Sequence, residues 1–379
     1  MIAEDGGWTR PRRRAAILCI QTESLIMSDA SAVPSRGQTY KAMAVTAPGV
    51  LELVERPLVE PGPGQVRLRV EACGVCHSDG ATVGGGFPGL TLPRVPGHEV
   101  VGRIEAVGPG VEGWPIGQRV GVGFLGGQDG ACPACRRGDF AYCDAPVITG
   151  VTTDGGYAQV MLAEARGLAS IPEDLSSVEA APLLCAGLTT FNALRDSGAR
   201  AGDVVAVQGI GGLGHLAIQF ARRMGFHTVA LGRGADKKAL ALDLGAHRYV
   251  DTEAENAVEA LQALGGARVL LATAPSGSGI ADLVPGLSTK GEVMIVAVPH
   301  DRLSIGAADL VFSGRSLTGR LTGKAVDAED TLAFSVLADV RPMIEVMPLE
   351  KAAEAYAKMM ANKARFRIVL QMDDQAWDG

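Results

Sequence analysis

Between Tyr40 and about Gly156 the chain carries short β-prone runs in which apolar and polar residues interleave, among them QVRLRVEACG (65–74), VVGRIEAVG (100–108) and QRVGVG (118–123). Pro and Gly break these runs, as in EPGPGQ (60–65) and VGPGVEG (107–113). Residues two apart share one face of a strand, so this rhythm predicts short strands joined by turns, a small all-β, barrel-like unit. PEDLSSVEAAPLLCAGLTTFNALRDSG (172–198) then predicts a helical stretch from near Ser176. Beyond it, DVVAVQGIGGLGHLAIQFARRMGFHTVALGRG (203–234) is an apolar strand, a glycine turn, a helix and a second apolar strand, the unit that builds parallel sheets. Further strands are predicted at HRYVD, RVLLATA and EVMIVAV. The last run, MPLEKAAEAYAKMMANKARFRIVLQM (347–372), predicts an amphipathic helix and a strand with no local partner, which therefore returns to the first unit.

A length of 379 residues exceeds what one core usually organises, so two domains are expected. The expected partition is a barrel-like unit of residues 39–181 and 326–379 and a doubly wound, α/β nucleotide-binding domain of residues 182–325. Residues 1–38 lack sustained periodicity and are expected to be a poorly ordered arm, within which Met27 could be the natural start. A net charge of -7 disfavours nucleic acid as a partner. No run approaches the roughly 20 apolar residues of a membrane helix, and the apolar part of RPRRRAAILCI is too short for a secretory signal. The expectation is a cytoplasmic protein whose seven cysteines serve as reduced thiols for metal or catalysis.

Gly209, Gly211 and Gly214 form a GxGxxG directly after a strand and at the mouth of a helix, with Gly212 and Leu213 inside the turn. In that context the first glycine permits the turn, the second admits a pyrophosphate and the third lets helix and strand pack closely. The acidic residue expected about 20 positions on, which accepts a ribose 2′-hydroxyl, is absent. Gly232 and Arg233 stand there, with Lys237 and Lys238 following. A guanidinium in place of a carboxylate favours a 2′-phosphate, so NADP(H) is preferred and NAD(H) is the alternative. The lesser alternative is that Arg233 is simply an exposed side chain at a strand end.

CGVCHSD (73–79) places Cys76, His77, Ser78 and Asp79 together, PGHE adds His98 and Glu99, and PLLCAG adds Cys185. With CPACRRGDFAYC, LLCAGLTTFNAL and GIGGLGHLAIQFA following in order, the chain from Tyr40 to Met372 resembles the zinc-dependent alcohol dehydrogenases of the medium-chain dehydrogenase/reductase family. The resemblance implies a GroES-like β-barrel catalytic domain and a Rossmann cofactor domain. It implies that Cys76, His98 and Cys185 bind a catalytic zinc, with Glu99 an alternative ligand. Two thiolates and an imidazole are a recognised catalytic zinc set that leaves a fourth position open. By the same resemblance Asp79 hydrogen-bonds His98, Ser78 meets the alcohol oxygen, His77 lies near the cofactor pyrophosphate and Thr189 lies beside the nicotinamide. Phe124 falls where the family often has a bulky wall of the substrate pocket, with Leu125 next to it, although Phe124 as ordinary barrel core is nearly as well supported.

Cys132, Cys135 and Cys143 match the last three ligands of the family's four-cysteine zinc lobe, and Asp129 stands where the first cysteine would be. A carboxylate can complete a tetrahedral zinc but holds it less well than a thiolate, so a second, structural zinc and a metal-free loop both remain open. The expected function is hydride transfer between a small-molecule alcohol, or its aldehyde or ketone, and NAD(P). The rivals are a zinc-free NADPH-dependent quinone or enone reductase and a non-catalytic NADP(H)-binding sensor. The family assembles as dimers or tetramers, and the apolar GEVMIVAV run (291–298) is expected to be a sheet edge that pairs across a two-fold axis.

Overall fold

A computed structural model describes residues 34–299 and 301–373. Met27 and the first 33 residues of the expected arm lie outside the described residues; β1 (Pro34–Ala47) takes up the remainder. It pairs antiparallel with β2 (Val50–Val59) as a two-stranded sheet. The interleaved runs that follow become β3 (Gln65–Val75), β4 (Val100–Val107), β5 (Arg119–Val122), β6 (Leu125–Gly127), β7 (Val147–Ile148), β8 (Val160–Glu164) and β9 (Leu168–Ser170). In β3 the inward positions Val66, Leu68 and Val70 are buried while Arg69 is exposed, as the period of two requires.

The glycine-turn region builds a six-stranded sheet in the order β12-β11-β10-β13-β14-β15. Its members are β10 (Val204–Gln208), β11 (His227–Gly232), β12 (Arg248–Asp251), β13 (Ala267–Ala272), β14 (Leu287–Ile295) and β15 (Ser316–Gly319), all parallel. The order reverses at β10, beside the glycine turn, and such a switch point is where this class of sheet binds its ligand. The final strands, β16 (Ile344–Pro348) and β17 (Arg367–Gln371), return to the first unit, and β17 lies antiparallel on β3.

One expectation is corrected. The GEVMIVAV run is not an edge, because β14 lies between β13 and β15 and the short β15 closes the described sheet. Val293 and Met294 are fully buried. A strand apolar on successive positions is one covered on both faces, whereas the polar SLTG of β15 is what an edge tolerates.

Helices α1 (Asp79–Val83), α2 (Pro133–Arg136), α3 (Ser177–Pro182), α4 (Leu188–Arg195) and α5 (Gly214–Arg223) frame the functional residues. Ser176 caps α3 in a reciprocal box with Glu179, which fixes where this stretch starts. Between α3 and α4 the backbone makes one π-helical turn, Leu183–Gly187. Leu184, fully buried on that turn, packs where Gly121 of β5 has no side chain, since a Cβ there would lie 2.7 Å from Leu184 Cδ1. Burial of a leucine of this kind contributes about 1.5–3 kcal/mol, and here it anchors the turn that carries Cys185.

Candidate active site

Cys76 follows directly on β3, His98 and Glu99 directly precede β4, and Cys185 occupies the π-helical turn. The antiparallel pairing of Cys73 with Val100 carries the first two segments to the same end of the sheet. A Cβ on Gly74 would lie 1.8 Å from Glu99 Oε2, so only glycine at 74 lets Glu99 fold into the interior. Gly97 has φ +98, the left-handed region, and thereby turns the chain so that His98 points inward.

The structure brings Cys76, His98, Glu99 and Cys185 together, with one ligand atom of each within 4.8 Å of the others. The two sulfurs are 3.9 Å apart. His98 is held from behind, its Nδ1 3.0 Å from Asp79 Oδ1, and the other carboxylate oxygen accepts from Cys76 N–H at 2.9 Å and from the Tyr157 hydroxyl at 2.9 Å. His98 Nε2 and Glu99 Oε2 are buried with no hydrogen-bond partner. Buried polar atoms are almost always paired, so two such orphans beside two sulfurs mark a place where a cation fits. The charges agree. The hydrogen bond with Cys185, followed by His98, holds the Cys76 thiol well below its usual range, while the bond to Cys76 and burial push Cys185 up. Burial opposes charge on His98, but Asp79 and Cys76 outweigh it and raise the imidazole. Burial pushes Glu99 up to about 7 against the pull of Arg367.

Arg367, absent from the sequence reading, pairs with Glu99 and is itself buried. Its guanidinium also lies against the glycine turn, for a Cβ on Gly212 would come within 2.9 Å of Arg367 Nη1. The signal for it was a charged residue inside the apolar strand RIVLQ. His215 was also missed. It is fully buried, its Nδ1 2.9 Å from Gly211 O, and its Nε2 accepts from Met343 N–H at 3.1 Å. Those two bonds fix the proton on Nδ1, and burial lowers the imidazole to about 4.

At the turn, Gly209 has φ +92 and a Cβ on Gly214 would lie 1.9 Å from Gly209 O, whereas a Cβ on Gly211 would meet nothing within 4 Å. The third glycine is therefore required for packing, and the second leaves its backbone open to a phosphate. Arg233 is exposed beyond β11. A side chain at Gly232 is excluded by Tyr249, whose hydroxyl would be 2.6 Å from the Cβ. Lys237 Nζ donates to Ile210 O at 2.9 Å, holding the turn itself, and Lys238 is exposed at the start of the helix Lys238–Asp243. Thr189 is buried one helical turn after Cys185, and His77 and Ser78 are exposed. Phe124 packs nearly perpendicular to the His98 ring, with 5.2 Å between centroids, while Leu125 is half-buried in β6.

Asp129, Cys132, Cys135 and Cys143 also converge within 4.8 Å. Asp129 Oδ1 accepts from Ala131 N–H at 2.7 Å and Cys132 N–H at 2.9 Å, bonds that hold its carboxyl below the usual range. One carboxylate oxygen is thus occupied by the turn, and Oδ2 is the one available to an ion.

Comparison with known proteins agrees with both halves. Residues 62–173 match the alcohol dehydrogenase GroES-like domain and residues 212–337 match the zinc-binding dehydrogenase model. Alcohol dehydrogenase notN of Aspergillus sp. is 42% identical over 341 residues, 89% of this chain and 99% of that protein. A solved NAD-dependent alcohol dehydrogenase superposes with a TM-score of 0.82 at 28% identity, covering 88% of this chain and 100% of that one. The CAD of Helicobacter pylori complexed with NADP(H) gives 0.77 at 26% identity, over 88% and 98% of the two chains. In sequence and in fold alike, the chain belongs to the zinc-dependent alcohol dehydrogenases of the medium-chain dehydrogenase/reductase family.

Proposed function

We propose that this alcohol dehydrogenase holds a catalytic zinc on Cys76, His98 and Cys185, with Glu99 as the alternative ligand, and that it prefers NADP(H) to NAD(H). The reaction is hydride transfer between a primary or secondary alcohol and the cofactor, running to the aldehyde or ketone and back. The described residues of 39–181 and 326–379 would form the catalytic domain and those of 182–325 the cofactor domain. The observation that carries this reading is the convergence of two sulfurs 3.9 Å apart with a buried imidazole nitrogen that has no partner.

When bound, zinc supplies Lewis acidity toward an alcohol or carbonyl oxygen, and the nicotinamide supplies the hydride acceptor or donor. Asp79 keeps the His98 proton on Nδ1, so Nε2 faces the other donors as a lone pair. Ser78, exposed beside Cys76, would accept a hydrogen bond from the alcohol hydroxyl and hand its own proton on through His77, the ribose hydroxyls or water as it takes the alcohol's. Phe124 presents an apolar wall to the substrate next to His98. Arg367 offsets the Glu99 carboxylate and adds positive charge behind the glycine turn, where a pyrophosphate would lie. Arg233, exposed just beyond β11, would meet a 2′-phosphate.

A zinc-free quinone reductase or a cofactor sensor has no use for this donor set, which disfavours both. Metal analysis together with initial rates for primary, secondary and benzylic alcohols, with each cofactor, tests the proposal. Zinc content, chelator-sensitive turnover and a lower KM for NADP+ are expected. Full turnover in chelator-treated, metal-free enzyme, or no turnover on the whole panel, would overturn it.

A further inference from the structure

We propose that Tyr157 is a positioning residue of the zinc site that acts through Asp79, an inference that rests on Cys76, His98 and Cys185 holding the ion. Tyr157 is fully buried, and its ring lies under the turn that carries His98, where a Cβ on Gly97 would come within 2.3 Å of ring carbon Cδ1. The backbones are joined as well. Gly155 N–H donates to Val95 O at 2.7 Å, Gly156 N–H to Gly97 O at 3.0 Å and Tyr157 N–H to Pro96 O at 3.0 Å. Tyr157 and the PGHE turn therefore move as one body.

Packing alone would be satisfied by phenylalanine; the hydroxyl adds a directed bond. It donates to Asp79 Oδ2 at 2.9 Å, and Cys76 N–H donates to the same oxygen at 2.9 Å. Oδ1 is left to His98, at 3.0 Å. Two donors on one oxygen and one on the other fix the rotation of the carboxylate, and with it the plane of the imidazole. Asp79 is 2% exposed, so water does not replace a missing donor. Without the hydroxyl, Oδ2 keeps a single donor, the carboxylate gains freedom to turn, and the aim of His98 Nε2 loosens. Partners behind a metal-binding histidine act on ion retention in this way.

The test is the rate at which zinc passes from full-length, zinc-loaded protein to a chromogenic chelator, for wild type, Tyr157→Phe, Asp79→Asn and the double variant. A Cys135→Ser background removes any contribution from the second cysteine cluster. Tyr157→Phe is expected to release zinc on the order of tenfold faster, Asp79→Asn faster still, and the double variant no faster than Asp79→Asn alone, because the hydroxyl works through that carboxylate. A merely structural hydroxyl would give additive effects. Equal release from wild type and Tyr157→Phe, or additivity in the double variant, overturns the role of Tyr157 and leaves the metal reading standing. Failure of wild type in this background to take up zinc overturns both.

Discussion

Arg367 reaches from β17, near the end of the described chain, to Glu99 at the head of β4, and both partners of the pair are buried. The return of the chain to the first unit thus delivers a charge as well as a strand. That charge stands between the candidate metal ligands and the glycine turn. Removing Arg367 takes the charged hydrogen bond from Glu99, whose carboxyl, already pushed up to about 7, then takes up a proton instead of staying charged, at a cost of about 1.5–3 kcal/mol. Arg367→Leu is expected to lower the urea midpoint accordingly and to raise KM for the cofactor, and adding Glu99→Leu should recover most of the stability but not the cofactor affinity. Equilibrium unfolding and steady-state kinetics on the two variants check this.

Cofactor choice is expected to turn on Arg233 rather than Gly232. Tyr249 blocks any side chain at 232, so an acidic residue introduced there would be destabilising instead of selective for NAD. Arg233 is exposed and free of that obstacle. Arg233→Ala should reduce kcat/KM with NADP+ by about 10- to 100-fold, the worth of a charge-assisted hydrogen bond, and leave the value with NAD+ nearly unchanged. Parallel kinetics with the two cofactors measure it. Equal losses with both would assign Arg233 to the fold.

The second cluster invites a repair experiment. Asp129 spends Oδ1 on two backbone N–H groups, and a carboxylate is a harder ligand than the three sulfurs beside it. Asp129→Cys is expected to slow zinc loss from this lobe and raise the melting temperature, while Cys135→Ser lowers it, with kcat little changed in either. Zinc analysis after dialysis against a chelator, paired with thermal unfolding, decides the matter. A lobe that takes up no zinc in either form is a plain loop of reduced thiols.

The alternation in QVRLRV and the strand, turn and helix of VVAVQGIGGLGHLAIQFARR made both units legible from the residues, because period and glycine placement are local properties. Cys76, His98 and Cys185 were legible only through family resemblance, since nothing local says that positions so distant in sequence meet. Arg367 and Tyr157 were missed for the same reason: one sits in an apolar strand and the other in a glycine-rich loop, and their roles arise from what lies across the fold. The GEVMIVAV run misled because continuous apolarity was read as a pairing edge, when it records cover on both faces.

His215 makes a prediction about acid. Its Nδ1–H donates to Gly211 O and its Nε2 accepts from Met343 N–H, so the neutral ring bridges the glycine turn to the segment that leads into β16. Burial, with Arg367 adding to it, lowers the imidazole from 6.5 to about 4. Below pH 6.5 the unfolded chain therefore binds a proton that the folded protein refuses, and folding stability falls as pH drops from 6.5 toward 4. Below about pH 4 the folded protein takes up the proton too, and this contribution stops changing. Across the window the loss is about 3 kcal/mol. His215→Asn keeps a donor near Gly211 O but strands the Met343 N–H, so at pH 7 it should be less stable than wild type by about 1–3 kcal/mol. Its own stability lacks this titration, so the gap should close, or reverse, as pH approaches 4. Urea unfolding of both proteins at half-unit steps from pH 7.5 to 4 measures the difference directly, and a constant gap across that range would show that the bridge does not depend on a neutral ring.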